Sequence, residues 1–235
     1  MATFVLVHGA WGGAHGFRHV RSALRREGHD VFTPSLSGIG ERVHLASPQV
    51  GLTTHVTDVV NTVLYEDLDR IVLLGFSYGG MVVSGALEHI GERVAALVYL
   101  DAFVPADGDT IERLVGQPPD RRPGLLGRPW LIDGPPRAYD DPAEAEFSIP
   151  RRTAQPIHSF TEPVRLPRPL EDYPFTRTYI RATVPDPGVP ANPAFDTAAA
   201  RARDSEAWLY HEIATTHLVP QNRPEELARL LLDLA

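Results

Sequence analysis

Short apolar, β-branched runs separated by helix-forming stretches constrain this chain more than any other feature. Thr3 to Val7, Arg70 to Leu74, Ala95 to Leu100 and Arg177 to Thr183 stand out, with weaker runs at His29 to Phe32 and Trp208 to Ile213. Their apolar residues are continuous rather than alternating, as in strands of a parallel sheet covered on both faces. Between them, Phe17 to Glu27 carries Phe17, Val20 and Leu24 at helical spacing and stops at Gly28, a C-cap residue. Thr53 to Leu64, Met81 to His89 and Glu225 to Leu234 read as helices in the same way, the last with Pro224 in its first turn. The alternation predicts an α/β fold: a mostly parallel, doubly wound sheet of about six strands with helices on both faces.

One region breaks the rhythm. Of the 22 prolines, 17 lie between Pro105 and Pro190, with pairs at Pro118-Pro119 and Pro135-Pro136, and such a segment cannot form long regular elements. An irregular insertion of this length in a compact domain is expected to be a lid or binding loop. Leu125, Leu126, Trp130, Leu131, Ile132, Phe147 and Phe160 would anchor it. The expected organisation is a core formed by residues 1–104 and 176–235 with a cap over 105–175.

Composition removes several function classes. Without cysteine there is no disulfide framework, thiolate zinc site, iron–sulfur cluster or cysteine nucleophile. A net charge of −8 argues against a nucleic-acid partner, which would reward a basic face. No apolar run reaches the roughly 18–20 residues of a membrane span. Ala2 to Val7 reads as a strand with no basic stretch before it, not as a leader, so the expected location is cytoplasmic. The expected partner is a small-molecule substrate, with a homodimer left open.

The strongest local signal is Gly75-Phe76-Ser77-Tyr78-Gly79-Gly80, directly after one strand and directly before a helix. This is the G-x-S-x-G nucleophile elbow in its strand–turn–helix context, and it makes Ser77 the candidate nucleophile at a helix N-terminus. The glycine-rich loop His8-Gly9-Ala10-Trp11-Gly12-Gly13 after the first strand suits an oxyanion hole, with donors expected from the backbone of Ala10 and Tyr78. A dinucleotide cradle fits poorly, because the spacing is not G-x-G-x-x-G and no acidic residue caps the second strand. His217 follows the last strand and is the candidate general base. Two acids remain open: Asp101, which ends the strand Leu97 to Leu100, and Asp186, beyond the strand Arg177 to Thr183. No H-E-x-x-H or similar spacing calls for a metal, and no cofactor is required.

Phe4 to Trp11, Thr33 to Arg42, the elbow with Met81, and Leu100-Asp101-Ala102-Phe103-Val104-Pro105 together resemble the bacterial α/β-hydrolases similar to methyl-salicylate-type esterases, hydroxynitrile lyases and pyrethroid hydrolases. The resemblance covers Thr3 to about Asp109 and resumes near Arg177. It implies an α/β-hydrolase fold and a serine hydrolase cleaving a carboxylic ester, thioester or lactone of a small to medium, largely apolar substrate through an acyl-enzyme. By the same resemblance His8, Trp11, His44, Met81 and Phe103 would line the pocket. The sequence departs from the pattern at Phe76, where histidine is usual, and at Thr216-His217-Leu218, where the flanking residues differ. It also has no lysine, which those lyases use for cyanohydrin cleavage. Elimination or cyclisation on a polyketide-like intermediate is the alternative chemistry, and a non-catalytic small-molecule receptor the alternative outside enzymes.

Overall fold

The computed structural model describes residues 1–116 and 129–235. Pro118, Pro119, Leu125 and Leu126, singled out above, lie outside the described residues. The chain begins with strand β1 (Thr3–Val7), helix α1 (Arg18–Arg26), β2 (Asp30–Phe32), α2 (Leu52–Tyr65), β3 (Ile71–Phe76), α3 (Gly79–Ile90) and β4 (Val94–Leu100). Short elements follow: α4 (Ile111–Leu114), β5 (Leu131–Ile132), α5 (Pro142–Ser148), β6 (Gln155–Pro156) and α6 (His158–Thr161). The chain then returns through β7 (Thr176–Ala182), α7 (Pro193–Arg203), β8 (Leu209–Ile213), α8 (Val219–Asn222) and α9 (Pro224–Asp233).

Six strands form one parallel sheet in the order β2-β1-β3-β4-β7-β8. Because successive side chains on a strand point to opposite faces, each apolar run feeds two cores at once. Phe4, Leu6, Val72, Leu74, Val98 and Leu100 meet Val20 and Leu24 of α1 and Leu227 and Leu231 of α9 on one face. Val5, Val7, Ile71, Leu73, Leu97 and Tyr99 meet α2, α3 and α7 on the other. Burying a side chain of this size contributes about 1.5–3 kcal/mol, so both layers are held firmly. Gly28, at φ +83°, turns the chain out of α1 into β2 as the sequence led one to expect. Helix α7 was not foreseen; it starts on Asn192, whose side chain accepts from the Ala194 N–H at 3.1 Å, followed by Pro193.

The proline-rich stretch between β4 and β7 forms only short pieces, with β5 and β6 paired antiparallel. It is tied to the sheet's C-terminal edge by specific bonds. Trp11 donates its indole N–H to Ile132 O at 2.9 Å and its backbone N–H to Gln155 Oε1 at 3.2 Å. Glu144, nearly fully buried on α5, accepts from Arg18 Nη1 at 2.8 Å and from the Ser148 hydroxyl at 2.6 Å. Among the described residues no helix is long and apolar enough to cross a membrane.

Candidate active site

Ser77 sits where β3 ends and α3 begins, with φ +56°, a conformation that non-glycine residues adopt only under constraint. The constraint comes from its neighbours. Its N–H donates to Leu100 O at 3.1 Å and its carbonyl accepts from Phe103 N–H at 3.3 Å, so the turn is tied to the end of β4. A Cβ on Gly75 would lie 2.6 Å from Gly79 O, and one on Gly79 would lie 2.6 Å from Val7 O. Both contacts are impossible, which is why the motif requires glycine on either side of the serine.

The loop after β8 carries His217 to this turn. Ser77 Oγ–H donates to His217 Nε2 at 2.9 Å, and His217 Nδ1–H donates to Asp101 Oδ2 at 2.6 Å. All three residues are buried. The other oxygen of Asp101 accepts from the Arg181 guanidinium and from Ala182 N–H at 3.2 Å. Asp101 itself has φ +41°, and its N–H is fixed on Ile180 O at 2.7 Å. Burial would raise the Asp101 carboxyl, but the bond and charge of His217 and the charge of Arg181 outweigh it and hold it below the usual carboxylate value. Burial lowers His217, against the pull of Asp101, leaving a neutral imidazole able to take a proton. That ring lies between two phenyl rings, Phe76 at 4.8 Å and Phe195 at 5.3 Å between centroids.

Asp186, the second candidate acid, does not reach His217. Its Oδ2 accepts from Arg137, and both side chains of that ion pair are largely buried. The loop after β7 carries it beyond the strand end, whereas Asp101 follows β4 immediately. Among the described residues no protein acceptor takes the backbone N–H of Ala10 or of Tyr78, so both are free beside Ser77. The Tyr78 hydroxyl donates to His55 Nδ1 at 2.7 Å, and His55 Nε2–H donates to Ser37 O at 2.8 Å. Burial lowers His55 to about 4, so it remains a neutral acceptor that pins Tyr78 to α2.

A cavity of about 390 Å³ opens at Ser77, lined by the apolar side chains of Trp11, Phe103, Ile132, Phe160 and Phe195 and by the charged Arg137 and Asp186. Trp11 and Phe103 are therefore placed in the pocket, His8 borders a smaller cavity beside it, and two other expected lining residues are corrected. His44 is exposed on the turn Gly40–Leu45 and does not line the cavity. Met81 points into the core, because α3 buries the face that carries it. His8 lies off the main cavity, with Nδ1–H donating to Gly9 O at 2.9 Å and Nε2 accepting from Leu36 N–H at 3.1 Å. It borders a smaller cavity of about 50 Å³ that also reaches Ser77 and His217. Among the described residues no cluster of three or more His, Asp or Glu could hold a metal ion.

The model of the Alpha/beta hydrolase family matches residues 4–230. The chain belongs to the alpha/beta hydrolase family. Among its relatives, a carbendazim hydrolyzing esterase of Nocardioides sp. is 46% identical over 129 residues, which cover 54% of this chain and 53% of that protein. A pyrethroid hydrolase of Sphingobium wenxiniae is 32% identical over 126 residues, covering 52% of this chain and 44% of the relative. The match thus spans about half the length of these curated relatives. An extracellular alpha/beta-hydrolase from a Paenibacillus species superposes with a TM-score of 0.76 at 23% identity, covering 100% of this chain and 99% of that one, a likeness of fold.

Four residues of this alpha/beta hydrolase's site escaped the sequence reading. Phe195 was signalled by the Asn192-Pro193 helix start. Arg181 lies within β7, where one charge in a buried strand asks for a partner. His55 and Arg137 carried no local signal, since only tertiary packing brings them to Tyr78 and Asp186.

Proposed function

We propose that this protein is a serine hydrolase cleaving a carboxylic ester, thioester or lactone of a small to medium, largely apolar substrate through an acyl-enzyme. The observation that carries the reading is the continuous line of hydrogen bonds from Ser77 Oγ through His217 to Asp101, at 2.9 and 2.6 Å. Ser77 Oγ attacks the ester carbonyl as its proton passes to His217 Nε2. The C–Oγ bond forms, and the carbonyl oxygen takes up negative charge against the N–H groups of Ala10 and Tyr78. Collapse breaks the bond to the alcohol oxygen, which leaves with the proton from His217. Water then attacks the acyl-enzyme, giving a proton to His217, and the acid is released as that proton returns to Ser77. Asp101 stays ionised throughout and stabilises the imidazolium, which Phe76 and Phe195 also favour through their ring faces. The names of the two sequence relatives, an esterase and a hydrolase, support ester-bond cleavage.

The test is intact-mass spectrometry after incubation with a fluorophosphonate, together with turnover of short-chain p-nitrophenyl esters. One adduct mapping to Ser77 is expected, with kcat falling by about 10⁶ in Ser77→Ala. Turnover that survives Ser77→Ala in folded protein would overturn the mechanism. A ligand bound tightly yet recovered unchanged would overturn catalysis altogether.

A further inference from the structure

The small cavity beside Ser77 and His217 has a wall that the hydrolytic steps do not use. It is formed by Arg137, Tyr139, Arg152 and Gln221. Arg152 is half-buried just after the turn Ile149–Arg151, and among the described residues its guanidinium makes no direct ion pair or hydrogen bond, although the Asp186 carboxylate lies near enough to attract it. Arg137 stands near enough for the two like charges to oppose each other, and it is already committed to Asp186. Two guanidiniums therefore share one carboxylate within reach of the reacting serine. Half-burying two cations beside a single carboxylate is costly. Burial lowers the Arg152 pKa and Arg137 lowers it further, against the opposing pull of Tyr139 and Asp186, so the site gains from an incoming negative charge.

Size and setting define what that charge should be. A single water needs roughly 10–15 Å³, so a cavity of about 50 Å³ has room for a carboxylate. A guanidinium's planar fork matches a carboxylate's two oxygens. Arg137 lines both cavities, so the polar nook and the apolar chamber adjoin at Ser77. The excess positive charge is local and stands against a chain of net charge −8, so it acts as a point of selection rather than a steering field.

We propose that Arg152, assisted by Arg137, binds the carboxylate of an ester substrate that carries a second, ionised acid group. The substrate class is the half-ester of a dicarboxylic acid, with its hydrocarbon part in the apolar chamber. This rests on the hydrolase reading above. The experiment compares kcat/KM for monomethyl succinate and dimethyl succinate in the wild-type chain and in Arg152→Gln and Arg152→Lys. The wild type should favour the half-ester. Arg152→Gln should cut that preference about ten- to a hundredfold, and Arg152→Lys should restore part of it. An unchanged preference, within about twofold, would overturn the subsite while leaving ester hydrolysis intact. Calorimetric binding of monomethyl succinate to Ser77→Ala and to Ser77→Ala/Arg152→Gln decides the matter independently of turnover. Binding lost with Arg152 upholds the subsite even if neither ester is cleaved, in which case the hydrolase reading is what fails. Equal binding to both variants overturns the subsite. Because the Arg152 guanidinium makes no direct ion pair or hydrogen bond, Arg152→Gln is expected to change the unfolding temperature little, and thermal unfolding of the variant separates lost recognition from lost folding.

Discussion

The ends of β1, β3 and β4 and the stretch from β5 through the loop after β7 face the same cavity, but they are held in place by different means. On the first wall, Trp11, Ser77 and Asp101 have φ of +60°, +56° and +41°, three of the five non-glycine residues with positive φ among those described. Each such conformation costs on the order of 1–3 kcal/mol and persists only because the surrounding sheet overdetermines it. Neighbouring strands supply that constraint through Ser77 N–H to Leu100 O, Phe103 N–H to Ser77 O and Asp101 N–H to Ile180 O. The second wall has no non-glycine residue of positive φ among those described. Side-chain contacts tie it as well, Arg137 on Asp186, Arg223 on Asp140, and Phe195 against Phe103 at 4.8 Å between ring centroids, beside backbone bonds in relaxed conformations such as Thr153 N–H to Trp11 O and Val184 N–H to Thr215 O, both at 3.0 Å. Ser77 and Asp101 are thus held in constrained backbone, while the second wall pairs relaxed backbone with ion pairs and ring contacts. Exchanging side chains on the second wall is therefore expected to leave Ser77 in place.

The sharpest way to break this contrast is to exchange the two pocket aspartates, one on each wall, for asparagine. Asp101→Asn keeps shape and most hydrogen bonds but removes the charge that orients and stabilises His217, so kcat should fall by about 10³–10⁴. Asp186→Asn leaves the Ser77–His217–Asp101 line intact and frees Arg137, so kcat should fall less than about tenfold, with the larger change in KM. Both are read from steady-state turnover of one p-nitrophenyl ester, with thermal unfolding as the control. A larger kcat loss in the Asp186 variant would assign the acid to the second wall.

The same contrast explains what could be read in advance. Local pattern finds whatever backbone geometry dictates. The continuous apolar runs marked all six strands of the sheet, and Gly75, Gly79 and the flanking strand and helix marked Ser77. His217 was legible because it follows the last strand, and the structure puts it 2.9 Å from Ser77. The choice between Asp101 and Asp186 was not legible. Both follow strands whose ends meet the pocket, and what separates them is Arg181 beside one and Arg137 beside the other, across gaps of 80 and 49 residues. His44 and Met81 failed as pocket residues for a related reason. A resemblance places a residue near the site, but the pitch of a turn or helix decides whether its side chain faces the cavity, the core or solvent.

A smaller effect sharpens the contrast from within the first wall. Arg181 reaches from β7 to the oxygen of Asp101 that His217 does not use, and acts as a positioning residue. Replacing it with glutamine should lower kcat about ten- to a hundredfold. A merely structural role would stop there, but the charge predicts more. The rate rises with pH as His217 loses its proton, and burial places that limb below pH 6.5. With the cation gone, the Asp101 charge is less compensated and favours the imidazolium, so the His217 pKa rises and the limb moves to higher pH. Arg181→Lys should keep the limb near its wild-type position. A limb that stays in place in Arg181→Gln would reduce Arg181 to a packing residue.

The smallest expected effect comes from the stretch between β4 and β7, away from the reacting atoms. Helix α2 begins on Gly51, which has no side chain to cap it. Glu162, just after α6, takes that place by accepting from Thr53 N–H at 3.0 Å and from the Thr53 hydroxyl at 2.6 Å. A carboxylate there satisfies an orphan donor and faces the positive end of the helix. The site is partly exposed, so Glu162→Ala should cost about 1 kcal/mol and lower Tm by about 2–4 °C for a chain of this size. Because the fully buried His55–Tyr78 bond and the packing of α2 on α3 remain when Glu162 is lost, kcat should stay within about twofold of the wild type. Tm from thermal unfolding and kcat from the p-nitrophenyl assay, measured on the same preparation, check the two halves of this expectation. A tenfold loss of kcat with so small a change in Tm would mean that the stretch between β4 and β7 helps hold the elbow in register. The division between a wall of constrained backbone and a wall of relaxed backbone and exchangeable side chains would then have to be given up.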